Sequence, residues 1–272
     1  MPHLPRPRIS IITPSFNHAQ FIERTVRSVL EQRGEFDLEY VVLDGGSTDG
    51  TVDILRRFED RMTWSSGPDK GQTDAINKGL RAATGDIVGW VNSDDVLMPG
   101  ALAKVAAAFA ANPQVEWVHG RCEIIDINDQ PIRRWISRYK HFRARRHSLE
   151  NLLTENYVSQ MTTFWRRSVH NQVGYLDEAL KLAFDYEFWL RLSKRGAPVY
   201  LEDRIACFRW YETSKSGANY TSQFDEDAEV AARHIPSGNR SVLIRKRFKS
   251  AAILGTYRLM AKLRSITSRA TP

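Results

Sequence analysis

Early in the chain, three apolar runs, "ISIIT", "YVVL" and "DIVGWV", each break into a short polar loop: Thr13 to Asn17, Asp44 to Asp49, and Asn92 to Asp95. Helical periodicity fills the gaps. "HAQFIERTVRSVLEQRG" sets Phe21, Ile22, Thr25, Val26, Val29 and Leu30 on one face and stops at Gly34. "STDGTVDILRRF" does the same with Val52, Ile54, Leu55 and Phe58, and "GQTDAINKGLRAATG" supplies a third helix. Strands alternating with crossover helices build a parallel sheet, and ligands bind where its strands end and the loops converge. The spacing predicts an α/β fold with the three polar loops gathered at one edge.

Further on, "MPGALAKVAAAFAANP" reads as a helix with Pro99 near its start and Asn112-Pro113 at its end. "VEWVHGRCEIIDINDQPIRRWI" alternates like a hairpin turning near Asn128-Asp129. "MTTFWRRSV" is strand-like, "DYEFWLRLSKRG" is a helix closed by Gly196, and "PVYLED" and "RIACFRWY" are expected as two last strands. With no repeat or low-complexity linker, residues 1–235 are expected to form one domain and 236–272 a basic amphipathic helical extension.

Charge separates the two parts. Residues 240–272 carry nine Lys/Arg and no acid, which leaves 30 basic against 32 acidic residues, or −2, for the rest. Two cysteines, Cys122 and Cys207, are too few for a disulfide framework or a zinc site and suit a reducing compartment. No secretory signal precedes the first strand and no apolar run is long enough to span a bilayer, so a cytoplasmic location is expected.

The loops carry the chemistry. Asp94 and Asp95, adjacent at a strand end, cannot both stay ionised cheaply without a cation or strong donors. A hard divalent ion would relieve them; a polar turn that caps the following helix is the other reading. "LDGGSTDG" is Gly-rich but has neither dinucleotide-fold nor P-loop spacing. Asp44 can instead accept from a nucleobase ring N–H, with the glycines letting a ligand approach the backbone. Asp185, before "YEFWLRL", is either a helix cap or a catalytic base.

In order, "SIITPSFNHAQFIERTVRSVLEQ", "YVVLDGGSTDGTVDIL", "GPDKGQTDAINKGLRAATGDIVGWVNSDDVLMPGAL" and "FDYEFWLRL" resemble the family 2 glycosyltransferases, over about residues 8–215. The resemblance implies an inverting enzyme with the GT-A fold, a Rossmann-like, mixed but mainly parallel sheet flanked by helices that binds nucleotide sugars. It implies that Thr13, Pro14 and Asn17 line the nucleoside pocket and that Asp44 binds the base edge. Gln72 and Asp74 would contact nucleotide or sugar. Ser93, Asp94 and Asp95 match the family's Asp-x-Asp-type motif, Asp94 contacting ribose or sugar and Asp95 holding Mg²⁺ or Mn²⁺ against the diphosphate. Asp185 matches the catalytic base. Arg209, with Tyr211, Lys215 and Ser216, is a diphosphate candidate.

Three departures stand out. Phe184 occupies a position where many relatives carry an acid, for which Glu187 could partly substitute. Tyr211 replaces a histidine near the metal. Arg209-Trp210 occurs, yet Ala206 stands where processive synthases have glutamine, so one sugar per acceptor is expected. The function implied is transfer from a UDP- or dTDP-linked sugar to a glycan or lipid-linked acceptor in bacterial cell-surface polysaccharide synthesis. A sugar-nucleotide nucleotidyltransferase and an inactive membrane-associated scaffold are the rivals; "TPSFNHAQ" lacks the basic Gly-rich loop of the first. "RRWISRYKHFRARRH" is expected as a solvated run, an acceptor lip or a membrane contact. Residues 241–268 are expected to lie on an anionic membrane at its inner face, or to dock on the body. Without a recognised module beside the charge, nucleic acid is not an expected partner.

Overall fold

The computed structural model describes residues 6–236 and, beyond them, 241–242, 244–249, 251–253 and 255. The first half is built as expected, with one strand, β3, that the sequence does not mark. β1 (Arg8–Ser15) leads to α1 (Ile22–Leu30), β2 (Asp37–Asp44), α2 (Thr51–Arg56), β3 (Thr63–Ser66), α3 (Gln72–Ala82) and β4 (Ile87–Trp90). These four strands pair in parallel in the order β3-β2-β1-β4. β1 alternates its sides: Ile9 and Ile11 enter one core cluster, Ile12 the other. Gly79 lets α3 sit tightly on β1, since a Cβ there would lie 2.6 Å from the Ile12 side chain.

The second half mixes directions. β5 (Val96–Leu97) and α4 (Ala101–Ala111) precede β6 (Trp117–Ile125) and β7 (Pro131–Ile132), the expected hairpin, with Asp129 at φ 62 in its turn. Then come α5 (Arg134–Ala144), α6 (Leu149–Thr154), β8 (Thr163–Arg166), α7 (His170–Val173), α8 (Phe184–Arg195), β9 (Val199–Arg209), α9 (Lys215–Ala218) and α10 (Tyr220–His234). β8 joins β4 and β6 antiparallel, whereas β9 runs parallel to β6, so parallel pairing makes up most of the ladder. The result is a mixed, mainly parallel α/β sheet flanked by helices. Two expectations change. "PVYLED" and "RIACFRWY" form the single strand β9, whose register against β6 slips around Arg121 and so absorbs the break in pattern. The basic run is largely a helix, α5.

The second core cluster contains four tryptophans; Trp189 stacks on Trp90 (5.6 Å, 14°) and on Trp117 (6.2 Å, 3°). This rigid aromatic block underlies the site. Of the tail, Val242 is buried in the same cluster; the expected pattern at 256–268 lies outside the described residues. Among the described residues no helix is long and apolar enough to cross a membrane.

Candidate active site

The strand ends open on a cavity of about 950 Å³, within the size range of small-molecule sites. Pro14, Gln72, Ser93, Asp94 and Asp185 line it; Thr13, Asn17, Asp44, Asp74, Asp95 and Arg209 do not. These six are held beneath or beside the cavity, and their bonds explain why.

Thr13 is buried and accepts from the Tyr40 hydroxyl at 3.1 Å. Asn17, at φ 52, ties the first loop to the second: its N–H donates to Ser47 Oγ (2.7 Å) and its Oδ1 accepts from the Thr48 N–H (2.9 Å). The Asp44 carboxylate is filled by its own surroundings, accepting from the N–H groups of Gly46 (3.1 Å) and Ser47 (2.8 Å) and from the hydroxyls of Ser47 (2.5 Å) and Ser66 (2.6 Å). It organises the loop instead of facing a base. Asp74 accepts from the Lys70 N–H (3.0 Å) and pairs with Lys78 (2.7 Å), in that order the causes that hold its pKa below the usual carboxylate range. It braces "GPDKG" and does not face the ligand.

The carboxylate pair divides its labour opposite to expectation. Asp95 is fully buried; its Oδ1 accepts from the Arg209 N–H (2.9 Å) and its backbone oxygen from Thr25 Oγ1 (2.7 Å). Burial first, then the neighbouring Asp94 charge, push its pKa well above the carboxylate range. Asp95 is thereby anchored beneath the cavity. Asp94 is the member in the cavity, where its Oδ2 accepts from Tyr211 Oη at 3.0 Å. Arg209, 2% exposed, is a clamp under the pair: Nε donates to the Asp94 carbonyl (2.9 Å), another guanidinium N–H to the Asp126 carbonyl (2.7 Å), and a third to Asp129. These three bonds turn the guanidinium away from the cavity, which Arg209 does not line.

Glu226 from α10 fixes the loop that leads into α8, accepting from the N–H groups of Lys181 (3.0 Å), Leu182 (2.6 Å) and Ala183 (2.5 Å). Asp185 lies in the first turn of the helix, where its Oδ1 accepts from the Tyr186 N–H at 2.6 Å, and it lines the cavity. Burial raises its pKa to about 6, against the Tyr186 N–H and the nearby Lys140 and Lys215. Glu187 does not stand in for the acid missing at Phe184: it is buried in pairs with Arg191 (2.6 Å) and His234 (3.2 Å).

Several residues join the site without having been singled out in the sequence. His18 lines the cavity, with Nδ1 2.5 Å from Ser93 Oγ and Nε2 3.5 Å from Tyr211 Oη. Its place directly after Asn17 on a strand-end loop was the available signal. Asp69 lines the cavity wall with Pro14, Phe16 and Gly45; its Oδ1 accepts from the Gly71 N–H (2.7 Å), and a Cβ on Gly45 would come within 2.9 Å of its Oδ2. Gly45 makes the room that this carboxylate uses. Lys215, named only as a diphosphate candidate, bridges the halves: Nζ donates to Gln72 Oε1 (2.8 Å) and lies 5.1 Å from the Phe184 ring centre. Gln72 donates in turn to Asn92 Oδ1 (2.9 Å).

As to a metal, no group of three His, Cys, Asp or Glu side chains able to hold an ion occurs among the described residues. The donor set still fits Mg²⁺ or Mn²⁺, because such ions take one or two carboxylates and complete their shell with substrate phosphates. Asp94 supplies the carboxylate, and the His18 ring stands next to it through Tyr211.

A glycosyl transferase family 2 model matches residues 10–173 of the chain, more than half its length. The chain belongs to glycosyl transferase family 2. It is a glycosyltransferase, and the cavity lined by Asp94 and Asp185 lies at the ends of its parallel strands. A Mycobacterium tuberculosis protein called an uncharacterized glycosyltransferase is 32% identical over 199 residues, 71% of each chain. A Mycobacterium bovis PGL/p-HBAD biosynthesis glycosyltransferase is 30% identical over 199 residues, 71% of this chain and 72% of its own. An uncharacterized glycosyltransferase of Nostoc is 34% identical over 129 residues, 46% of this chain but 39% of its own length. Among solved structures, the Pyrobaculum calidifontis mannosyltransferase in complex with GDP-Man and Mn²⁺ superposes with a TM-score of 0.65 at 19% identity, covering 97% of this chain and 84% of that one. Staphylococcus aureus TarS 1-349 in complex with UDP-GlcNAc gives 0.61 at 21%, covering 83% and 66%. These two carry the fold.

Proposed function

We propose that this glycosyltransferase is inverting and metal-dependent, and that it moves one sugar from a UDP- or dTDP-linked donor to a glycan or lipid-linked acceptor in bacterial cell-surface polysaccharide synthesis. The observation that carries this is the pairing, in one cavity, of Asp94 at the strand-end loop with Asp185 in the first turn of α8. Asp185, with its raised pKa, is suited to take the proton of an acceptor hydroxyl as the hydroxyl attacks the anomeric carbon. A single displacement from the face opposite the leaving group inverts that carbon.

The donor's base sits against Phe16 and Pro14, with Asp69 Oδ2 as acceptor for the ring N–H of uracil or thymine. Lys215 and Tyr211 stand on the diphosphate side. A bound Mg²⁺ or Mn²⁺, held by Asp94 with His18 beside it, supplies electrostatic stabilisation of the departing diphosphate. The solved neighbours were caught with UDP-GlcNAc, or with GDP-Man and Mn²⁺, which supports a nucleotide-sugar donor and a divalent ion. The enzyme works peripherally at the inner face of the cytoplasmic membrane, with the basic tail on anionic lipid.

The test is a thermal-shift screen of UDP, dTDP and GDP and their sugars, with and without Mn²⁺. A uridine or thymidine diphosphate should stabilise the protein more with Mn²⁺, and Asp69→Ala should abolish the preference for the base. No stabilisation by any of them would turn the reading toward a scaffold.

A further inference from the structure

α5 is amphipathic in the reverse sense. Its buried residues are Ser137 and Ala144, two small side chains seven apart that seat it against β6. Its bulky members Trp135, Tyr139 and Phe142 follow the same helical spacing but are 52%, 42% and 50% exposed. A helix that only covered the sheet would turn those aromatics inward. Two more large apolar side chains, Ile244 (53%) and Phe248 (74%), lie one turn apart on the tail, which docks through Val242 and Lys246. The two helices meet at Glu155: its Oε2 accepts from Tyr139 Oη (2.8 Å) and lies 3.5 Å from Lys249 Nζ. Five of the seven exposed large hydrophobics in the described chain fall on these two segments, which meet at Glu155, and this is not the scatter of an ordinary surface.

Charge names the partner. From Gln130 to Leu149 there are seven Lys/Arg and no acid. Arg143 and Arg145 pair with Glu155 and Glu202, while the exposed Arg134 and Arg138 have no ion pair among the described residues. Arg146 lies over the Phe142 ring at 4.0 Å. Tryptophan and tyrosine beside unneutralised arginines match the headgroup layer of an anionic bilayer, where the rings sit among the headgroups and the cations meet lipid phosphate.

We propose that α5 is the main membrane anchor of this protein, its Trp135–Tyr139–Phe142 face lying in the interface of an anionic bilayer with Ile244 and Phe248 as a second contact. Trp135 and Tyr139 also line the cavity that holds Asp185, so the mouth of the cavity opens at the lipid surface. Resting on the transfer reading above, this makes the acceptor lipid-linked, its head reaching Asp185 without leaving the membrane.

The experiment is sedimentation of the full chain with phosphatidylcholine vesicles containing or lacking about one third phosphatidylglycerol, without donor or metal. The parent should partition to the anionic vesicles, and a W135S/Y139S/F142S variant that melts like the parent should partition at least tenfold more weakly. Arg134→Gln with Arg138→Gln should weaken it about tenfold or more, since each arginine near such a surface contributes on the order of 1 kcal/mol. Unchanged partitioning of the aromatic variant, or no preference for anionic lipid, overturns the proposal. So does a parent that self-associates, or binds a glycan array, through this face while ignoring vesicles. Failure to bind any sugar nucleotide would sink the transfer reading and leave the lipid result standing.

Discussion

Replacing Asp185 by Asn keeps the side chain's shape and an oxygen for the Tyr186 N–H, but removes the charge. In the folded protein burial holds this carboxyl at a pKa of about 6, whereas in an unfolded chain Asp titrates near 3.9. Below about pH 4 the group is protonated in both states and contributes no difference. As pH rises toward 6 the unfolded chain ionises freely while the folded one resists, so stability falls; above 6 the loss is complete. Two pKa units at about 1.4 kcal/mol each amount to about 3 kcal/mol. Asp185→Asn should therefore be about 3 kcal/mol more stable than the parent at pH 8 and equal to it near pH 4. Urea unfolding at several pH values measures this through the midpoint, provided the slope is unchanged. The parent's transfer rate should rise with pH through about 6, as the base ionises, while the variant is inactive and still binds nucleotide. A stability gap independent of pH, or a parent more stable at pH 8, would refute the account of Asp185 as a carboxylate held at a cost for catalysis.

Asp94→Ala should abolish Mn²⁺-enhanced nucleotide binding, read by calorimetry, whereas Asp95→Asn should retain it because Asp95 does not reach the cavity. Glu226→Ala strips three N–H groups of the loop ahead of α8 of their acceptor and should lose about 1–2 kcal/mol in thermal unfolding; kcat should fall more than donor affinity. Arg209→Ala removes a buried cation whose acceptors would be left unpaired, and about 3–5 kcal/mol of stability should go with it, measured by denaturant unfolding.

Much of the fold was legible because its signals are local. Apolar runs of strand length, helical spacing in α1 and the glycines and prolines at the breaks are short-range consequences of backbone geometry and burial, and they marked three of the first four parallel strands; β3, a largely exposed "TWSS", carries no such run. The same locality placed the polar loops together, since parallel strands end at one edge. The motif set around Asp94 and Asp185 likewise pointed to glycosyl transfer.

Tertiary structure alone decided which side of each loop faces the ligand. Asp94 and Asp95 are neighbours in the chain, yet one faces the cavity and the other accepts from Arg209, 114 residues away. Asp44 is saturated by donors that include Ser66, and Asp69 takes the open position beside Gly45. Asp185 both accepts from the Tyr186 N–H and lines the cavity, two roles that its local sequence offered as alternatives. Periodicity can say that Trp135, Tyr139 and Phe142 share a face, but not which way that face points. That is fixed by Ser137 and Ala144 fitting against β6, a contact between distant segments. Hydrogen-bond saturation and burial are sums over such contacts, and no run of neighbouring residues contains them.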